Sequence, residues 1–410
     1  GGPAAVVVDI GSSGLSVLGF RMDGAKPVRD WKGSKIQPGL QDYPLDFPGF
    51  TSMANGTGLA RLAQDLSTAA GRLRCDSAPP VPLLLLATAG MRMVSDATQE
   101  RLYDNLRRWV REHPALAGRF GAPEARTITG EEEALFQLLT VNIRQGGLAL
   151  AGDGTRGEFV VNASQLLPML ELGGASTQVA ALPTWLSTRH RRMTWHQLNR
   201  VALDRSFLRF GASQIFEWRD TANKRAMDYC DPAVDGFNYT SCKVFWDGEV
   251  SDYHAFEVEG KPVGFMPGSS FQIGESERRA ISAVAAASAV YPVAGFMMML
   301  KNLRSLHFVK ETEGPTGFIE LRDWKEGAQK VCDTPWKELV ERNERLGEEQ
   351  VPRNFLREMC AQNTYCMRLF EAYGFEDKQQ VFVDLTNDPS WTMGAFIALV
   401  VSQGHSSATA

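Results

Sequence analysis

Two stretches of the chain place an acid next to a glycine–serine tip. Asp9-Ile10-Gly11-Ser12-Ser13-Gly14 follows the β-branched run Val6-Val7-Val8, and Glu171-Leu172-Gly173-Gly174-Ala175-Ser176-Thr177 follows the apolar run Leu167-Pro168-Met169-Leu170. Backbone amides at such tips form anion nests, and Ser12, Ser13, Ser176 and Thr177 add hydroxyl donors. Phosphate is the natural ligand for that chemistry. An acid before each tip repels phosphate unless a divalent cation stands between them, so Asp9 and Glu171 predict Mg²⁺ or Ca²⁺ held through oxygen ligands and water. One such tip by itself reads as a tight turn with an edge acid; its recurrence argues for function.

A third group supplies a base. Thr129-Gly130-Glu131-Glu132 fits a capping box that opens a helix and crowds Glu131, Glu132 and Glu133 at its N-terminus. With Glu132 engaged as the cap partner of Thr129, Glu133 is left to turn toward a phosphate cleft and accept a proton from water.

The elements that position these groups follow from periodicity. The chain resumes after the first tip as Leu15-Ser16-Val17-Leu18-Gly19-Phe20 and after the second as Gln178-Val179-Ala180-Ala181-Leu182, which makes each a hairpin with a small-residue tip. Pro82 to Ala87 reads as a buried strand, Arg101 to Val110 has helical spacing at Leu102, Leu106 and Trp109, and Leu135, Leu138 and Leu139 mark the apolar face of the capped helix. The segment from Met193 to Gly274 reads as an irregular strand-and-loop insertion. Strands alternating with helices around two matching hairpins predict an α/β protein of two related lobes, with a tip from each facing a shared cleft.

Five segments together carry a resemblance. Asp9-Ile10-Gly11-Ser12-Ser13-Gly14, Ala87-Thr88-Ala89-Gly90-Met91-Arg92, Thr129-Gly130-Glu131-Glu132-Glu133, Glu171 to Gln178 and Asp388-Pro389-Ser390-Trp391-Thr392-Met393-Gly394-Ala395 resemble, in order, the conserved regions of the apyrases, or nucleoside triphosphate diphosphohydrolases. The resemblance implies the two-lobed, ribonuclease H-like fold of actin, sugar kinases and Hsp70, with lobe I at residues 1–128 plus 382–410 and lobe II at 129–381. It implies hydrolysis of terminal phosphates of nucleoside tri- and diphosphates such as ATP and ADP. Glu133, Ala89 and Ser176 become the catalytic positions, Glu133 as general base and Ala89 against the attacking water. Ser12, Ser13, Gly14, Gly174, Ala175 and Ser176 become phosphate ligands, and Asp9, Thr88, Glu171 and Gln178 reach the metal through its water shell. Ala289-Val290-Tyr291 resembles the segment whose tyrosine stacks on the nucleobase, with Arg353 and Arg357 as candidates for the opposite face.

The sequence departs from the family pattern at three places: Leu15 stands for a polar residue, Ala134 for a glycine and Glu171 for an aspartate. A longer acid still offers oxygen to a metal-bound water, so Glu171 puts the rate in doubt more than the reaction. The alternative is a nucleotide-binding pseudoenzyme. A kinase or chaperone fits less well, since a glutamate is placed to activate water and no peptide-binding domain follows.

Composition sets outer limits. Over 410 residues, 44% apolar and 22% charged with a formal charge of −5, the chain is globular and carries no basic field for nucleic acid. The apolar run Ile281 to Leu300 is Ala-rich and interrupted by Tyr291 and Pro292, which predicts a buried core helix and no membrane span. No Cys-x-x-Cys or His-x-x-x-His occurs, which argues against zinc. Among six cysteines, Cys230/Cys242 and Cys332/Cys360/Cys366 cluster in the second half, where pairing is expected. Val331 to Trp336 and Met359-Cys360 resemble a bridged pair of the family, implying Cys332–Cys360 beside Cys230–Cys242 and leaving Cys75 and Cys366 paired or free. With acceptor patterns at Asn55, Asn162 and Asn238, the cysteines point to a secretory or extracellular glycoprotein.

Overall fold

The computed structural model describes residues 2–56, 58–73, 80–152, 157–183, 186, 192–208, 210–212, 230–232, 238–252, 256–258, 261–263, 275–310, 312, 314, 316–385 and 389–408. Cys75, Thr57 of the first acceptor pattern and Asp388 of the fifth motif lie outside them. The chain forms two compact units, Gly1–Leu166 with Pro183–Ala202 and Ser390–Ala410, and Leu167–Leu182 with Leu203–Pro389. These bounds differ from the expected division at 128/129 and 381/382. Residues 129–166 lie with the first unit, and position 381/382 falls inside the strand Gln380–Asp384 of the second unit's sheet.

In the first unit, β1 (Ala4–Gly11), β2 (Gly14–Asp23), β3 (Lys26–Lys32), β4 (Leu83–Ala87) and β5 (Glu124–Thr127) form a sheet of order β3-β2-β1-β4-β5. β1 to β3 run antiparallel, while β4 and β5 are parallel to β1. Strand alternation sends Val6, Val8 and Ile10 to one face, where they join Leu15, Val17, Leu83 and Leu85 in a core. Helix α1 (Leu59–Leu73) closes that core through Leu62 and Leu66, as does a longer helix, Asp96–Glu112, through Leu102, Leu106 and Trp109. Each fully buried Val or Leu is worth on the order of 1.5–3 kcal/mol, so the first tip is clamped from beneath. The same alternation sends Asp9 to the opposite face with Ala5 and Val7. That face is covered by the C-terminal helix Trp391–Ala408, whose Phe396 stacks on Phe20 at 5.6 Å.

The capped helix, α2 (Gly130–Gln145), belongs to this unit because it packs along the C-terminal helix, where the Thr140 hydroxyl donates to Ser390 O at 3.0 Å. It begins with the expected capping box and ends on Gly146 in the left-handed region. Strands Leu148–Leu150, Glu158–Val161 and Arg192–Thr194 make a small sheet beside it.

The second unit repeats the plan. Strands β6 (Met169–Leu172), β7 (Ser176–Ala181), β8 (Leu203–Leu208), β9 (Ala289–Ala294), β10 (Thr316–Glu320) and β11 (Gln380–Asp384) take the order β8-β7-β6-β9-β11-β10. Again a three-strand antiparallel meander starts from a central strand that pairs in parallel with the next, here β6 with β9. The run Ile281 to Leu300 is not one helix. It spans the end of helix Glu275–Ala285, strand β9 and the start of α3 (Gly295–Ser305), because Val290, Tyr291 and Val293 suit a central strand and Pro292 a helix interior poorly. No helix among the described residues is long and apolar enough to cross a membrane.

Two disulfides staple this unit. Cys332–Cys360 joins α4 (Leu321–Asp333) to α5 (Arg353–Ala372), and Cys230–Cys242 ties its segment to helix Tyr239–Asp252, both as expected. Cys366 is a buried free thiol. Between Met193 and Gly274 the described elements are Trp195–Val201, β8, Tyr239–Asp252 and a ribbon of Phe256–Val258 with Lys261–Val263.

Candidate active site

In the first unit, β1 carries Asp9 to the rim of the tip and β4 runs beside it with Ile10 opposite Ala87. Thr88 N–H donates to Ile10 O at 3.1 Å, which seats Thr88 and Ala89, 7% and 4% exposed, against the tip. The tip itself closes with Gly11 opposite Gly14, whose φ of 147° suits a residue without a Cβ. Ser12 is half-buried and Ser13 exposed.

At the start of α2 the three acids diverge. Glu131 is exposed, Glu132 makes the capping box with Thr129 and pairs with Arg126, and Glu133 is buried at 6% exposure. Glu133 is not left free as expected, for its Oε2 accepts from the Arg92 guanidinium. Burial raises the Glu133 carboxyl above the usual range and Arg92 opposes that rise. Asp9 is pushed up to about 7, first by burial and then by the Glu133 charge, while Lys35 and Lys32 pull it down. Asp9 and Glu133, expected on different lobes, are electrostatic neighbours in one unit. Arg92 also lines a cavity of about 600 Å³ with Gln99, Tyr103, Arg107, Thr127 and Gly130, among others, to which neither Asp9 nor Glu133 contributes.

In the second unit, Glu171 on β6 stands directly across from Gln178 on β7, both buried. Gln178 Nε2 donates to Ser176 Oγ at 2.6 Å and to Ser206 Oγ on β8 at 3.3 Å, which turns its amide oxygen away from those hydroxyls. The Thr177 hydroxyl donates to Glu171 O, and Gly173 N–H donates to Ser176 O, so the tip is closed by its own bonds. Ser176 is only 2% exposed and Ala175 3%, which leaves Gly173 and Gly174 as the accessible part of the tip. A buttress follows β8: Ala212 N–H donates to Gly173 O, and a Cβ on Gly211 would fall 2.3 Å from Ala175 N.

The donor set fits a hard divalent cation held through water. Asp9 with Thr88 in the first unit, and Glu171 with the Gln178 amide oxygen in the second, offer oxygen ligands, and the cost of ionising Asp9 is what a nearby cation would relieve. Among the described residues no three His, Cys, Asp or Glu gather closely enough to ligate a metal directly.

The nucleobase expectation for Tyr291 does not fit its surroundings. Tyr291 is fully buried in the central strand β9, packs on Phe382 and donates its hydroxyl to Asp384 Oδ2 at 2.8 Å, so neither ring face is open. Arg357 pairs with buried Asp231 next to the Cys230 bridge, with Nε at 2.8 Å. The Leu15 departure is a core residue bridged to Ile36, and Ala134 is wholly buried in α2, so neither alters the polar groups of the tip. Arg92, Lys35, Gln41 and Ser206 went unassigned by sequence because each meets its partner only through tertiary structure; Arg92, inside a quoted motif, carried the one available signal.

Comparison with known proteins places these motifs in context. A 29% identical stretch of 216 residues matches "Probable apyrase 5" of Arabidopsis thaliana, covering 50% of this chain and 40% of that protein. "Ectonucleoside triphosphate diphosphohydrolase 6" of Rattus norvegicus is 26% identical over 214 residues, 51% of this chain and 42% of the relative. The chain thus spans less than half the length of these curated relatives. Its fold, the actin-like α/β fold expected, is that of a nucleoside triphosphate hydrolase of Neospora caninum, with a TM-score of 0.60 at 15% identity over 98% of this chain and 93% of that one. The family model described as GDA1/CD39 (nucleoside phosphatase) matches residues 4–211, half of the sequence and four of its five motifs, so the chain belongs to the GDA1/CD39 nucleoside phosphatase family.

Proposed function

We propose that this protein hydrolyses the terminal phosphate of nucleoside tri- and diphosphates in a divalent-metal-dependent reaction, with Glu133 taking a proton from the attacking water. The observation that carries this reading is the buried Glu133 carboxylate, held by Arg92 in the same unit as the first glycine–serine tip and Asp9. Arg92 favours the ionised form that a base requires, while burial keeps its proton affinity high enough to be useful. The amides and hydroxyls of Ser12, Ser13 and Gly14 bind phosphoryl oxygens, as do those of Gly174, Ala175 and Ser176. Thr88 and Ala89 border the water, and Asp9, Glu171 and Gln178 are the residues that would hold the hydration shell of Mg²⁺ or Ca²⁺. When bound, the cation neutralises phosphate charge and steadies the leaving group.

The names of the relatives support nucleotides as the substrate class. Two disulfides support a secretory or extracellular setting, and exposed Asn162 and Asn238 are proposed glycan acceptors there. Phosphate release from ATP and ADP, with and without divalent cation, tests the reaction. Activity should vanish in EDTA, return with Mg²⁺ or Ca²⁺, and fall about 10²–10⁴-fold in Glu133→Gln while nucleotide affinity stays within a few-fold. More than a tenth of wild-type turnover in that variant would assign the base elsewhere.

A further inference from the structure

We infer that Lys35 is the cationic phosphate ligand of the first loop, a residue that no motif contains and that completes a site otherwise built from neutral donors. The inference rests on the reading of Ser12 to Gly14 as a phosphate loop. Lys35 follows β3, and its Nζ donates to Ser13 Oγ at 2.5 Å from an exposed position at the tip. The backbone that carries it is pinned to the loop from both sides. Leu15 and Ile36 exchange N–H···O bonds of 2.8 Å, and Gln41 Nε2 donates to Ser12 O at 2.6 Å. A Cβ at Gly14 would sit 2.3 Å from Ile36 O, so the residue next to Lys35 has no freedom to withdraw.

The electrostatics call for a positive charge here. Asp9 and Glu133 put two carboxyl groups beside the loop, Arg92 is committed to Glu133, and Lys32 and Lys35 are the cations felt at Asp9. Hydroxyl and amide donors alone would bring a multiply charged phosphate toward Asp9 without compensation. An ammonium offers three donors, so Lys35 can keep its bond to Ser13 and give another to a phosphoryl oxygen in a charge-assisted contact about twice as strong as a neutral one.

The competing account is that Lys35 only tethers Ser13, and a mutant cycle separates the two. Lys35→Met, Lys35→Arg, Ser13→Ala and Ser13→Ala/Lys35→Met are compared for kcat and KM on ATP and ADP, for inhibition by inorganic phosphate, and for melting temperature. Lys35→Met should lose roughly 10–100-fold in kcat/KM and weaken phosphate inhibition about tenfold, with Lys35→Arg recovering most of both and the melting temperature unchanged. It should also cost activity in the Ser13→Ala background. Values for Lys35→Met within twofold of wild type, or no added loss in the double variant, overturn the inference. A wild type that releases no phosphate from either nucleotide would instead refute the hydrolase reading. In that event phosphate-induced thermal stabilisation decides: its loss in Lys35→Met supports the ligand role, and its retention overturns it.

Discussion

Replacing Asp9 with Asn should stabilise the metal-free protein while abolishing its activity. Asp9 sits at the end of β1 with Glu133 as a like-charged neighbour, and its carboxyl is raised from 3.8 to about 7. At about 1.4 kcal/mol per pH unit, holding it ionised costs the fold about 4 kcal/mol relative to the unfolded chain. The folded carboxyl binds its proton more tightly than the unfolded one, so the wild type has its full stability below about pH 4 and loses it as pH climbs to about 7. Asn has no proton to lose and is spared that decline. In EDTA at pH 8 the variant should therefore be more stable by about 2–4 kcal/mol, roughly 5–15 °C in melting temperature for a unit of this size, with the gap shrinking by more than half at pH 5. Mg²⁺ or Ca²⁺ should narrow it at pH 8 by stabilising the wild type alone. Differential scanning fluorimetry at both pH values, with and without cation, gives every number needed. Equal melting temperatures at pH 8 in chelator, or a variant less stable than wild type, would refute the reasoning.

Three further substitutions probe other contacts. Arg92→Gln strips the cation from buried Glu133, so kcat should drop about tenfold with KM little changed and the acid limb of the pH–rate profile should move upward; an unmoved limb would detach Arg92 from the base. Gly211→Ala drives a methyl to 2.3 Å from Ala175 N and should raise KM for ATP at least tenfold, so an unchanged KM would show that the buttress is idle. Tyr291→Phe leaves Asp384 without its hydroxyl donor and should cost about 1–3 kcal/mol in denaturant unfolding while KM stays constant, whereas a raised KM at constant stability would restore Tyr291 to the nucleobase.

Both hairpins and the capped helix were legible because glycine tips, strand alternation and the Thr129/Glu132 pairing are local signals. The residues of each tip could be placed on a hairpin, and Glu133 at the start of a helix, for that reason. The assignment of α2 to the first unit was not legible. Its capping box announces where a helix starts and says nothing of what it packs on, and the decisive partner, Ser390, lies 250 residues from Thr140. The run around Tyr291 misled because uniform apolarity does not separate a buried helix from a central strand, and only the pairing of β9 with β6 fixes it. Arg92 and Lys35 read in sequence as ordinary surface charges; their partners, Glu133 and Ser13, are set beside them by the fold.

The first unit is assembled from three separate stretches of chain, and the last of them is the helix Trp391–Ala408 that covers the Asp9 face of its sheet. A ribosome delivers β1 and β2 before the second unit's described strands and that helix after them. Until then the apolar face of Ala5, Val7 and Phe20 has no lid, while the second unit already holds all its strands and all four bridged cysteines. Vectorial synthesis thus matures the stapled half first and leaves the half with Asp9 and Glu133 unfinished until translation has passed Ala408. Chains aborted upstream of Trp391 would have the second glycine–serine tip in place and no folded unit to carry Glu133.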